Sequence, residues 1–148
     1  MLNDCFDANC QPYVCSGFRT WEKQQALFDN KIERLIYEDG VDPEIAEEEA
    51  GKVVAVPGTS EHQLGLAVDI IDYNYPYLTS EQENTPTQSW LMNNSWRYGF
   101  ILRYPNGTSD ITGIIYEPWH YRYVGRDCAK EIYELDITLE EYLEMFYE

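Results

Sequence analysis

The chain has 148 residues, 44% of them apolar and 15% aromatic, and carries a formal charge of −17. That length suits one domain, 1–148, whose core buries about two thirds of the unfolded surface. The charge excludes nucleic acid as a partner and disfavours anionic membrane surfaces, since both need clustered Lys and Arg. No stretch approaches the roughly 18 apolar residues of a membrane span, and no basic segment followed by an apolar one opens the chain. The expectation is a soluble protein with any leader or anchor outside this sequence.

In chain order, residues 1–13 are short and mixed, with the look of a helix fragment. Residues 13–18 read as a strand ending at a glycine turn. Thr20 then caps a helix over 21–37, with Leu27, Phe28, Ile32, Leu35 and Ile36 at helical spacing. Asp42 and Pro43 open a short acidic helix that ends near Gly51. A turn at 57–59 leads to an alternating strand over 66–71, with Ala67, Asp69 and Ile71 on one face. Residues 73–84 form a tyrosine-rich loop. A capping box at 85–88 starts a helix to Gly99. Strands follow at 100–104, 111–116 and 119–124, then two helices, the second announced by a capping box at 138–141. The order predicts an α+β fold, a small antiparallel sheet flanked by helices.

Cys5, Cys10 and Cys15 are five apart, with Cys128 distant. That spacing is not a zinc pattern such as Cys-x-x-Cys. They read as small buried thiols, with one or two disulfides as the alternative in an oxidising compartment.

The chemistry gathers in two blocks, Ser-Glu-His-Gln-Leu-Gly-Leu-Ala-Val-Asp at 60–69 and Glu-Pro-Trp-His at 117–120. They hold both histidines of the chain. His62 and Asp69 stand at an odd separation, which puts strand side chains on opposite faces, so Gly65 must turn the backbone between them. His120 adds a third ligand from another strand. Three protein ligands with a position left for water is the arrangement of a catalytic zinc site, although His/Asp sets also take other divalent metals. Pro118 rules out the helical His-Glu-x-x-His arrangement, so Glu117 is the candidate general base from a turn. Arg19, just past Gly17, is the candidate cation for a negative tetrahedral intermediate. Singly, each residue also reads as structural: a satisfied histidine, a hydrogen-bonded strand aspartate, a surface acid, a helix-flanking arginine. Spacing alone leaves both readings open.

The combined pattern Ser60-x-His62-x-x-Gly65-x-Ala67-x-Asp69 with Glu117-x-Trp119-His120 resembles the zinc D-alanyl-D-alanine carboxypeptidases of the VanY type, relatives of the vancomycin-resistance dipeptidases. The similarity runs through Ser16-Gly17-Phe18-Arg19-Thr20, Pro57-Gly58, Tyr-Gly-Phe-Ile-Leu-Arg-Tyr-Pro at 98–105, Ile111-Thr112-Gly113 and 121–125. The resemblance implies a zinc peptidase fold of the D-Ala-D-Ala carboxypeptidase/Hedgehog-like type. It implies His62, Asp69 and His120 as ligands of Zn2+, Glu117 as base and Arg19 as the arginine facing the scissile carbonyl. Ser60 and Gln24 match positions that help hold the peptide's C-terminal end. The implied activity removes the terminal D-alanine from peptidoglycan stem peptides or their precursors. A monomer at the bacterial envelope or outside the cell is the expected setting, with a cytoplasmic enzyme acting on precursors as the alternative. An L,D-carboxypeptidase or a D,D-dipeptidase would use the same ligands, with the loop at 73–84 shaping the choice. A non-catalytic zinc-containing binding module is the remaining alternative, and the presence of both Glu117 and Arg19 counts against it.

Overall fold

The structure, a computed structural model, describes residues 1–147. Helix α1 (Leu2–Asp7) leads to strand β1 (Pro12–Ser16). The Thr20 hydroxyl accepts from Lys23 N and starts α2 (Trp21–Tyr37). Asp42 caps α3 (Pro43–Gly51), whose first residue is proline. These are the side-chain acceptors that orphan helix N–H groups require. Phe28 and Leu35 of α2 pack on Ala50 of α3 in a cluster of their own.

Strand β2 (Ala67–Asp72) is central. Helix α4 (Pro86–Asn94) follows the tyrosine-rich loop, then β3 (Phe100–Leu102), the single turn α5 (Ser109–Thr112) and β4 (His120–Tyr123). The chain closes with α6 (Arg126–Leu135) and α7 (Leu139–Tyr147). The sheet is antiparallel in the order β1-β2-β4-β3. Alternation gives it two distinct faces. Ile70 and Tyr121 on one face pack with Leu91 of α4 and Cys5 of α1. Ile101 on the other face packs with Ala129 and Ile132 of α6 and Tyr142 of α7. The rest of that second face, which carries Asp69 and His120, is left for the site.

Four expectations are corrected. The helix from 85 does not reach Gly99 but stops at Asn94 and becomes a 3-10 turn, Ser95–Tyr98. The side-chain amides of Asn93 and Asn94 donate to the carbonyls of Ser89 and Trp90 four residues back, competing with the helical ladder. The strand at 100–104 is shorter, Phe100–Leu102. Residues 111–116 form no strand: α5 ends at Gly113 in the left-handed region, and Ile114 and Ile115 line a cleft. A short apolar, β-branched run does not distinguish a strand from a cleft wall. The cysteines are all free thiols, and Cys5 and Cys10 are buried as expected, but Cys15 is exposed.

Gly99 shows how tightly the sheet joins α6. Its φ is +88°, and an added Cβ would lie 2.7 Å from the Tyr123 ring and 3.1 Å from the Gly125 carbonyl carbon. Gly99→Ala should therefore cost about 2–4 kcal/mol, combining left-handed strain with a clash against backbone. Thermal unfolding checks this, and an unchanged midpoint would contradict the contact.

Candidate metal centre

Four segments build the site. The first is the central strand pair, in which Asp69 of β2 stands directly opposite His120 of β4. Their side chains share a face, and His120 Nδ1 lies 3.0 Å from Asp69 Oδ1. The second is a one-turn 3-10 helix, Glu61–Leu64, closed by Gly65 at φ 69°. The glycine provides the turn that the odd spacing of His62 and Asp69 demands, and His62 Nε2 comes within 3.2 Å of Asp69 Oδ2.

The third segment is the loop after β1, which is fastened to the His62 turn at two points. Arg19 N donates to the His62 carbonyl over 3.1 Å. His62 Nδ1 lies 2.8 Å from the Gly17 carbonyl oxygen. A carbonyl only accepts, so Nδ1 carries the proton and Nε2 presents its lone pair to the site. A bulge in β1 between Val14 and Ser16 sets Ser16, rather than Cys15, opposite Asp69. The Ser16 hydroxyl then accepts from Arg19 Nη2 at 2.9 Å. Arg19 Nη2 also stands 3.5 Å from Asp69 Oδ2.

The fourth segment is the turn before β4. Glu117 is only 7% exposed, with its carboxylate 3.8 Å from His120 Nδ1. Its backbone is held by a bond from Glu117 N to the Tyr104 carbonyl. The Tyr104 ring lies against the His120 imidazole, centroids 4.9 Å apart.

The donor atoms of His62, Asp69 and His120 all fall within 4.8 Å of one another, and all three residues are buried. They open on a cavity of about 270 Å³ that Arg19, Ser60 and Glu117 also line. Its far wall is apolar, from Leu27, Val54, Ile114 and Ile115, and Leu78 reaches it from the tyrosine-rich loop. Of the expected site residues only Gln24 stands outside the cavity lining. It is fully buried, accepts from Arg19 Nη1 at 2.8 Å and donates to the Ala55 carbonyl at 2.6 Å. In this structure Gln24 holds Arg19.

Protein groups alone set strong electrostatics here. Burial pushes the Asp69 carboxyl up, but bonds from His120 and His62 outweigh it and hold it well below the usual range. Burial pulls the His120 imidazole down, yet its bonds to Asp69 and Glu61 raise it to about 9. Among the described residues none donates a hydrogen bond to the Glu117 carboxylate; burial pushes it up to about 8, against the opposing charges of His120 and Arg19. A buried carboxyl of that kind, beside a cluster of ligand atoms, marks an acid-base site.

Sequence reasoning missed Tyr104 and Glu61. Glu61 lies beside His120 Nε2, at 3.5 Å, and carries two arginines. The signal for it was Arg122, two residues past His120 on the same strand face and so bound to need a buried counter-charge.

Comparison with known proteins agrees with the geometry. A family model described as D-alanyl-D-alanine carboxypeptidase, VanY, matches residues 1–126. A D-alanyl-D-alanine carboxypeptidase of Enterococcus faecalis is 49% identical over 146 residues, covering 96% of this chain and 52% of that protein. Among solved structures, a mutant of the vancomycin resistance D,D-pentapeptidase VanY in complex with Zn(II) is 47% identical with a TM-score of 0.81. That match covers 96% of this chain and 79% of the other. The LdcB LD-carboxypeptidase is 39% identical with a TM-score of 0.84, over 97% of this chain and 63% of that one. The chain spans about half the length of the curated relatives it matches. With His62, Asp69 and His120 grouped and Glu117 and Arg19 lining the same cleft, the chain belongs to the VanY family of D-alanyl-D-alanine carboxypeptidases.

Proposed function

We propose that this chain is a zinc-dependent D,D-carboxypeptidase that hydrolyses the terminal D-Ala-D-Ala bond of peptidoglycan stem peptides or their precursors. The observation that carries the reading is the convergence of the His62, Asp69 and His120 donors on a cleft that also holds Glu117 and Arg19. The donor set fits zinc: two imidazoles and one carboxylate, with the His62 tautomer already set by Gly17. Bound there, zinc supplies Lewis acidity, making a water acidic near neutral pH and polarising the scissile carbonyl.

The protein groups do the rest. Glu117 takes a proton from the attacking water as the water oxygen bonds to the carbonyl carbon. A divalent cation nearby favours the ionised form of Glu117, against the lift that burial alone gives it. The Arg19 guanidinium, fixed by Ser16 and Gln24, faces the negative charge that develops on the carbonyl oxygen. When the C–N bond breaks, Glu117 returns its proton to the departing amine. Ser60 on the cleft wall offers a hydroxyl to the free carboxylate end of the peptide. The names of the Enterococcus faecalis relative and of the zinc-bound VanY structure support the D,D assignment.

The likeness to LdcB favours a second reading, an L,D-carboxypeptidase with the same chemistry. An equal mixture of stem pentapeptide and tetrapeptide, incubated with zinc-loaded protein and read by mass spectrometry, decides between them. The expected result is loss of one residue from the pentapeptide, abolished by EDTA. Shortening of the tetrapeptide instead assigns the L,D activity, and no change in either peptide overturns the peptidase reading. Stem peptides of the wall as substrate favour the bacterial envelope as the setting, and we propose a monomer as the active unit.

A further inference from the structure

The metal ligand His120 has a second nitrogen, and the structure gives it a partner. Nε2 faces Glu61 Oε2 at 3.5 Å. The other oxygen of Glu61 is doubly occupied, by Arg103 Nε at 2.8 Å and Arg122 Nη1 at 2.9 Å. Two guanidiniums on Oε1 prevent the carboxylate from swinging to become a ligand itself, and they leave Oε2 aimed at the imidazole. Arg103 is fastened in turn. Its Nη1 and Nη2 donate to the two oxygens of Glu140 at 2.9 and 2.6 Å, a bidentate pair. Its guanidinium lies over the Tyr104 ring that packs on His120. Glu140 sits in the first turn of α7, where Thr138 and Glu141 form both halves of a capping box. Two carboxylates thus meet two guanidiniums, and the cluster is neutral as a unit. Arg103 and Glu61 are about one-tenth exposed, so these bonds are poorly screened by solvent.

We propose that Glu61 is the positioning residue of His120, holding the imidazole so that Nδ1 faces the metal, and that Glu140 completes the relay through Arg103. The last helix, beyond the residues that the family model matches, is then a working part of the metal centre. The inference rests on the reading of His120 as a zinc ligand. Carboxylates that take the free N–H of a ligand histidine fix its tautomer and ring orientation, and their loss typically costs roughly 10–100-fold in metal affinity.

The test measures zinc affinity of the full chain by competition with a chromophoric chelator, together with the visible absorption of the cobalt(II)-substituted protein. Glu61→Gln should weaken zinc binding roughly 10–100-fold and shift the cobalt band. Glu140→Gln should weaken it about threefold or more, and the double variant should bind no worse than Glu61→Gln alone, because both act along one path. Glu49→Gln, which removes an equal charge from a surface pair with Lys52, should change neither readout. Glu140 is about one-third exposed, so its variant decides the matter should Glu61→Gln fail to fold. Zinc affinity within twofold of the unaltered chain in Glu61→Gln, or additive losses in the double variant, would overturn the relay. Failure of the unaltered chain to take up zinc overturns the metal reading itself, and the relay with it.

Discussion

Replacing Glu117 by Gln should lower kcat on the pentapeptide by about three orders of magnitude while leaving one zinc per chain. The carboxamide has the same shape and fills the same buried space, so no cavity opens and the three ligand side chains keep their places. What it loses is the ability to take a proton from water and return it to the amine. Stability should hold or rise slightly, since a neutral amide replaces a carboxyl that burial pushes up to about 8. Zinc content by elemental mass spectrometry and turnover by peptide mass spectrometry check both halves. A variant that turns over within tenfold of the unaltered chain would remove Glu117 from the mechanism.

His120→Ala should lose the metal and the activity together. Two remaining ligands, His62 and Asp69, do not hold zinc as three do, and the lost imidazole leaves both Asp69 and Glu61 facing an empty space. The variant should elute from gel filtration without zinc and show no turnover above background. It should also unfold at a lower temperature, because removing a ring packed between Asp69, Glu61 and Tyr104 opens a cavity and takes one hydrogen-bond partner from each carboxylate. Retention of one tightly bound zinc would take His120 out of the ligand set. The contrast between the two variants separates proton transfer from metal binding.

Elements announced by local chemistry were legible in the sequence. Thr20 and Asp42 cap where they were expected to, and α2 runs over the expected residues, because a cap needs only its neighbours. Thr138 forms the full capping box, whereas Gln88 does not return to Thr85 and instead bonds the Ile70 carbonyl and Tyr121. The grouping of His62, Asp69 and His120 was legible because two histidines and a glycine-broken spacing leave few ways to meet. Its geometry was not: nothing local says that Asp69 and His120 are register partners, which depends on how β2 and β4 pair across fifty intervening residues. Residues 111–116 misled for the same reason, since their apolar character serves a cleft that Val54 and Leu27 also line. Gln24, matched by resemblance to a position that helps hold the peptide's C-terminal end, lies on the buried stripe of α2 one turn from Phe28, where its amide meets Arg19. That stripe was the sign that its amide would face inward.

The extra residue in β1 has a consequence for chain length. A regular strand repeats every two residues, and a bulge takes up one extra residue only at the cost of a local bend and added twist. Deleting Cys15 would leave Ser16 opposite Asp69 but remove the bulge, and with it the local bend and twist that aim the Ser16 hydroxyl and the loop carrying Arg19. The segment from 12 to 19 is therefore intolerant of any change in residue count, even where its side chains are exposed and individually replaceable. The turns at 38–42 and 105–108 contribute no ligand atom, and length variation belongs there.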